Sequence, residues 1–219
     1  MFNKVVSTCL VLGLSFSLPA FAGTMGDITN YKPSPFYIGA YGGYGAIDGA
    51  YKRDGNFAQG RLAFGAHIKQ YKYWMLGGEV GVQSGNNMRL NASPEVIDTE
   101  VDLLPQATLK PLVDLLFTVK GQFTPNKPLF YLLKGGIAYR QLTLADRTSS
   151  KDTLSKVNGE FQAGLGWTAS KHVMLTAFYQ GIYETSNAGV SVDASGENTF
   201  FANIPTQQAG FLGIEYSFS

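Results

Sequence analysis

Apolar and polar side chains alternate with a period of two residues along most of this chain, and no other sequence feature constrains the fold as strongly. The alternation is clearest in the final stretch, 207–219. One face of that stretch is apolar or aromatic and carries Gly210, Leu212, Ile214, Tyr216 and Phe218. The other face is mostly small and polar and carries Gln207, Ala209, Phe211, Gly213, Glu215 and Ser217. Such a pattern is typical of a β-strand with one apolar and one wet face.

A last strand of this kind would leave a hydrophobic edge, and closure of the sheet into a barrel removes such an edge. We therefore expect the final strand to pair with the first one, Phe36 to Ala46, and to close a transmembrane barrel.

The N-terminus has the features of a secretory signal peptide. Lys4 precedes an apolar run from Val5 to Leu18, and Ala20-Phe21-Ala22 is a small-x-small cleavage site. A retained membrane anchor is the alternative, but the run is shorter than the roughly 20 residues that span a bilayer. We predict a signal peptide over 1–22 with cleavage after Ala22, an N-terminal extension over 23–35, and a barrel over 36–219.

The composition of the mature chain excludes several classes of protein. Cleavage removes Lys4 and the single cysteine, Cys9, which leaves 16 basic and 16 acidic residues and no thiol for a disulfide or a Cys-based metal site. A neutral chain argues against binding to nucleic acid. The chain holds 26 Gly, 12 Tyr and 15 Phe with only 15% charged residues, yet offers no mature run of 18 apolar residues. These features indicate an outer-membrane barrel, with a secreted β-sandwich as the alternative.

Eight alternating segments follow one another, and the connections between them are short and long in turn. The segments are Phe36 to Ala46, Phe57 to Lys69, Tyr73 to Ser84, Pro111 to Phe123, Pro128 to Leu142, Glu160 to Thr168, Val173 to Glu184 and Gln207 to Ser219. The long connections are Gly85 to Lys110, Thr143 to Val157 and Thr185 to Thr206. Short periplasmic turns and long external loops are characteristic of outer-membrane barrels. The predicted fold is an all-β, eight-stranded antiparallel up-and-down transmembrane barrel.

The face opposite the apolar one brings charges of both signs into the predicted lumen. These residues are Arg61, His67, Lys69, Glu79, Asp114, Lys120, Lys134, Arg140, Glu160, Glu184 and Glu215. An eight-stranded barrel is just wide enough for side chains to fill it. Because an unpaired buried charge is costly, we expect salt bridges that close the lumen. A narrow polar channel for small solutes is the alternative.

The sequence contains no convincing catalytic, cofactor-binding or metal-binding site. The two histidines, His67 and His172, fall at the short-turn end of the predicted barrel. An enzyme acting on outer-leaflet lipid would place its base at the long-loop end. We therefore expect no enzyme activity and no cofactor, and a lipid-modifying enzyme is the less favoured alternative.

The first strand, FYIGAYGGYG at 36–45, resembles the first strand of the OmpA-like and opacity-type outer-membrane barrels. The last strand, GFLGIEYSF at 210–218, resembles the final strand of the same families, although Ser219 follows the usual terminal aromatic residue. The resemblance implies a non-enzymatic surface protein of the Gram-negative outer membrane that contacts a host or environmental ligand through its external loops. It implies contact with outer-membrane lipid and lipopolysaccharide. It also implies recognition of Tyr216 and Phe218 by the barrel assembly machinery.

Overall fold

A computed structural model of the chain describes residues 35–47, 55–71, 73–89, 106–124, 127–145, 151–183, 190–192, 199–201 and 204–218. Twelve strands are described: β1 (Phe36–Ile47), β2 (Asn56–Gln70), β3 (Trp74–Gln83), β4 (Asn86–Arg89), β5 (Gln106–Leu109), β6 (Leu112–Gln122), β7 (Leu129–Ala145), β8 (Lys151–Thr168), β9 (Val173–Tyr183), β10 (Val190–Val192), β11 (Thr199–Phe201) and β12 (Gln207–Ser217). Within the described ranges, no helix is long and apolar enough to cross a membrane.

Eight of these strands form a closed antiparallel barrel. Each strand of the series β1, β2, β3, β6, β7, β8, β9 and β12 pairs with the next, and β12 pairs with β1. The predicted closure of the last strand on the first is therefore confirmed, with Ile38 opposite Tyr216 and Ala40 opposite Ile214. Because the last strand is paired on both sides, its apolar face leaves no open edge.

Two of the predicted long loops are wrong in their bounds, because the strands continue beyond the barrel. The segment Thr143 to Val157 was expected to be a loop, but β7 runs to Ala145 and β8 starts at Lys151. The alternation persists there, since Leu142 is opposite Leu154 and Thr143 is opposite Thr153. Leu142 is buried and Leu154 packs against the same apolar cluster, which stabilises the longer ladder.

The predicted loop Gly85 to Lys110 also contains a ladder. In it, β4 pairs with β5, and β5 continues along the edge of β7. Met88 and Leu109 bury their side chains inside this extension, which accounts for its formation in a segment that is polar on average. The third predicted loop, Thr185 to Thr206, includes the short pair β10 and β11.

The two faces of the barrel strands differ as the alternation predicted. The outward face exposes a band of large apolar and aromatic side chains that includes Ile38, Leu62, Phe64, Val80, Leu115, Phe117, Ile137, Leu165, Leu212 and Ile214. One predicted inward residue, Lys69, is misplaced. A bulge between His67 and Lys69 shifts the register of β2, so Lys69 is exposed and its ammonium lies 5.1 Å from the centre of the Tyr71 ring.

Candidate functional site in the barrel lumen

Six charged side chains meet inside the barrel, and we refer to them as the ionic cluster. They are Arg61 on β2, Glu79 on β3, Asp114 and Lys120 on β6, Lys134 on β7 and Glu215 on β12. All six are buried, with 2% exposure or less. The cluster contains three cations and three anions, so it is neutral as a whole.

Arg61 bridges two carboxylates of the cluster, Asp114 and Glu79. Its Nε and Nη2 donate to the two carboxylate oxygens of Asp114 at 3.0 and 2.6 Å, which is the bidentate geometry that suits a guanidinium. Its Nη1 lies 2.8 Å from Glu79 Oε1. Gly81 makes room for this pair, because a Cβ at that position would lie 2.6 Å from Asp114 Oδ1.

Two lysines, Lys120 and Lys134, complete the cluster. Lys134 Nζ lies 2.9 and 2.8 Å from the two oxygens of Glu79 and 4.0 Å from Glu215 Oε1. Lys120 donates to Glu215 Oε2. Each carboxylate therefore has a cationic partner, which offsets the cost of removing these charges from water.

Two tyrosines on β1 supply further hydrogen bonds to the same carboxylates. Tyr37 Oη donates to Glu79 Oε2 at 2.7 Å, and Tyr41 Oη donates to Glu215 Oε1 at 2.9 Å. The Lys120 ammonium lies 4.0 Å from the centre of the Tyr37 ring. Both tyrosines alternate with the outward apolar residues of β1, and the sequence analysis did not connect them with the charges.

A layer of glutamines adjoins the ionic cluster, and we refer to Gln59, Gln83, Gln162, Gln180 and Gln207 as the amide layer. Gln59 Oε1 accepts from Gln83 Nε2 and, at 2.8 Å, from Gln207 Nε2. Gln180 Nε2 donates to Gln83 Oε1 at 2.9 Å. All five side chains are buried. The five glutamines occupy inward positions of their strands, as the predicted lumen charges do. This shared parity was the sequence signal for the layer, although the sequence analysis considered only charged residues.

The remaining predicted lumen residues lie outside the ionic cluster. Arg140 donates to Pro205 O at 2.8 Å and to Gln207 Oε1 at 3.3 Å. Glu160 accepts hydrogen bonds from Gln162 and Gln180 in place of a cation. Glu184 lies outside the described residues. His67 stacks on Tyr37 with 4.9 Å between ring centres.

Apolar side chains also fill the lumen. The sequence analysis predicted only charged residues there. Tyr41, Phe130, Leu132, Phe178 and Phe211 pack together on one side of it. At the long-loop end, a second group that we call the apolar cap consists of Ile47, Phe57, Met88, Leu109, Leu142 and Ile204. The interior is thus packed with side chains, as expected for eight strands.

No protein-family model and no curated protein matches the chain. Several solved structures match the chain. The outer membrane protein OprG from Pseudomonas aeruginosa matches with a TM-score of 0.55 and 14% identity, over 88% of this chain and 99% of that one. Ail, the attachment invasion locus protein of Yersinia pestis, solved with the heparin analogue sucrose octasulfate, matches with a TM-score of 0.50 and 15% identity, over 84% and 97%. Neisserial surface protein A matches with a TM-score of 0.50 and 12% identity, over 84% and 98%.

The fold is that of an eight-stranded outer-membrane β-barrel. This confirms the fold that the resemblance to OmpA-like and opacity-type barrels implied. The outward apolar band of the barrel requires lipid around it, so the predicted location in the outer membrane is confirmed as well.

Aromatic residues flank the band of the outer-membrane barrel at its short-turn end. Tyr71 stacks on Trp74 with 4.2 Å between ring centres, and Tyr216 packs edge-on against Phe218 at 5.6 Å. Amphipathic rings at this level match the girdle that anchors such barrels at the membrane interface. The aromatic residues of the final strand therefore face lipid, where they were predicted to lie.

Proposed function

We propose that this outer-membrane barrel is a non-enzymatic surface protein with a closed lumen, and that it acts through the connections at its long-loop end. The observation that carries the proposal is the burial of the ionic cluster. The side chains of Arg61, Glu79, Asp114, Lys134 and Glu215 have 0% exposure. A pore for ions or polar solutes needs a continuous path for water, whereas these charged groups are paired with one another and out of contact with water.

The refolded mature barrel is expected to give no steady conductance in a planar lipid bilayer, because the ionic cluster and the apolar cap occupy the lumen. Heat-modifiable migration on a gel must first show that the same sample is folded. Steady ohmic steps would contradict the proposal and favour the alternative of a narrow porin. In that case Glu79→Gln and Arg140→Gln should each shift the unit conductance, since both side chains would line the pore.

The surroundings of the two histidines support a non-enzymatic role. Neither ring nitrogen of His67 has a hydrogen-bond partner among the described residues. His172 Nδ1 lies 3.1 Å from Ser217 O, and its ring stacks on Tyr216 at 5.8 Å between centres. Acid–base catalysis needs a base that a partner orients and that reaches a proton. His67 has no such partner among the described residues, and His172, although its Nδ1 faces Ser217 O, stacks on Tyr216 at the short-turn end.

The charge of the external connections indicates the chemistry of their partner. With the external ladders included, segments 48–54, 85–110, 143–157 and 184–206 hold 11 of the 16 acidic residues of the chain and seven of its 17 basic residues. Ail was solved with a sulfated heparin analogue, but connections this acidic should repel a sulfated ligand. We therefore propose a partner with a basic surface.

Binding to immobilised polymers tests this chemistry. The barrel in nanodiscs of zwitterionic lipid should bind a lysine-rich polymer and not heparin. Replacing Glu95, Asp98, Glu100 and Asp102 by Gln or Asn should weaken that binding several-fold and lower its dependence on salt. Binding to heparin, or equal binding by the variant, would overturn the proposed partner.

Contact with lipopolysaccharide and recognition by the barrel assembly machinery also belong to this proposal. Tyr216 and Phe218 support the second, because both rings stay exposed at the end of the final strand. We expect Phe218→Ala to reduce the amount of folded protein in the outer membrane several-fold, whereas removal of Ser219 should have little effect. Quantitative blotting of membrane fractions measures both. Equal amounts of wild type and Phe218→Ala would contradict the assembly signal.

A further inference from the structure

The oxygens around Glu160 form a second polar feature of the lumen, beside the ionic cluster. Glu160 Oε1 accepts hydrogen bonds from Gln162 Nε2 and Gln180 Nε2, both at 2.6 Å. Both amide donors of this carboxylate therefore converge on the same oxygen atom. Its other oxygen, Oε2, has no partner among the described residues although the side chain is buried. One half of this carboxylate is therefore satisfied and the other is open.

Three side-chain amide oxygens near Glu160 are also without a partner in the described part of the chain. They are Asn158 Oδ1, Gln162 Oε1 and Gln180 Oε1. The two glutamine oxygens lie within about 5 Å of Glu160 Oε1, because their own amide nitrogens are bonded to it. Asn158 shares the inward face of β8 two residues away, about 7 Å along the strand. All four open atoms are acceptors, so they cannot satisfy one another.

Glu160 is not paired directly with a basic side chain of the described lumen, although Arg140 makes the number of buried cations equal to that of buried anions. The ionic cluster is neutral without it, and no described basic residue forms an ion pair with Glu160. The hydrogen bonds that the structure gives Arg140 go to Pro205 O and Gln207 Oε1. A buried carboxylate in this situation is costly unless a positive charge accompanies it.

We propose that Glu160 Oε2 and the side-chain oxygens of Asn158, Gln162 and Gln180 bind one alkali-metal cation in the lumen. Amide and carboxylate oxygens can replace the hydration shell of such an ion. A single positive charge neutralises the single carboxylate, whereas a divalent cation would leave an excess. A proton on Glu160 would satisfy only one of the amide oxygens, and one water molecule can donate only two hydrogen bonds. The cation satisfies all four acceptors at once.

Thermal unfolding in different salts tests the site. The refolded barrel should unfold about 3–6 °C higher in NaCl or KCl than in N-methyl-D-glucamine chloride of equal ionic strength, if the ion is present at about ten times its dissociation constant. Glu160→Gln should abolish this difference, because it removes the charge and keeps the shape. Glu79→Gln is the matched control. It removes a buried carboxylate from the ionic cluster, so it should lower both midpoints and leave their difference unchanged.

If the variants fold poorly, locating the bound ion in the wild-type barrel still tests the proposal. Crystals of the wild-type barrel grown with thallium(I) should show an anomalous peak within about 3 Å of Glu160 Oε2, the range of oxygen–cation bonds. The absence of that peak together with equal midpoints in the two salts would overturn the proposal. A midpoint that responds to acid but not to the alkali cation would assign the site to a proton and overturn it as well. Neither result depends on whether the lumen conducts or on what the external connections bind.

Discussion

Replacing Arg61 by methionine is expected to lower the free energy of unfolding of the barrel by about 3–5 kcal/mol, the range found when one partner of a buried ion pair is removed. Among the described residues, Asp114 then has no cationic partner and Glu79 keeps Lys134 alone. Methionine preserves most of the volume of the side chain, so loss of charge dominates the effect. Equilibrium unfolding in urea, with the barrel in lipid vesicles and followed by tryptophan fluorescence, measures the change.

Two further variants separate charge from packing at this site. Asp114→Asn should cost less than Arg61→Met, because Arg61 then still pairs with Glu79 at 2.8 Å. The double variant Arg61→Met with Asp114→Leu should recover most of the lost stability, since a pair replaced by apolar groups of similar volume is often neutral. If the double variant were as unstable as the sum of the single variants, the ion pair would not be the source of the effect.

Local alternation predicted the inward face of the residues that form the ionic cluster. Arg61, Glu79, Asp114, Lys134 and Glu215 each occupy the inward parity of their strand, and parity survives in a regular strand whatever its tilt. The need to cover the apolar edge of the last strand predicted its pairing with the first strand. The face of a regular strand on which a side chain lies can therefore be predicted from the period of two residues.

Contacts across the lumen could not be predicted in the same way. Lys120 on β6 meets Glu215 on β12, and three other strands lie between them in the sheet. Such a contact depends on the tilt and stagger of the strands, which alternation does not encode. The bulge after His67 shows the same limit locally, because one extra residue reversed the face predicted for Lys69.

The bounds of the external ladders were missed for a different reason. Strands beyond the membrane need no apolar outer face, so polar segments such as 86–89 and 151–156 resemble loops in composition. Their inward residues, including Met88 and Leu109, are the signal that was overlooked. These residues form the apolar cap, so the bounds of the strands also determine how the lumen is closed.

Tyr41→Ala is expected to destabilise the barrel by about 3–5 kcal/mol, the cost of truncating a large buried aromatic side chain. Tyr41 packs edge-on against Phe178 at 5.1 Å between ring centres, and Phe178 in turn stacks on Phe211 at 5.3 Å. Its hydroxyl also donates to Glu215. The truncation therefore leaves a cavity and removes a donor from a buried carboxylate. Urea unfolding in vesicles measures the loss.

Tyr41→Phe separates these two contributions because it keeps the ring and removes only the hydroxyl. Its expected cost is about 1–3 kcal/mol, the range for a buried acceptor that loses one hydrogen bond. Glu215 still has Lys120 as a partner, which favours the lower part of that range. If Phe and Ala at this position cost the same, packing against Phe178 would contribute nothing and the hydroxyl alone would account for the role of Tyr41. If Phe costs nothing, the ring is the essential part, and Glu215 is held by the lysines alone.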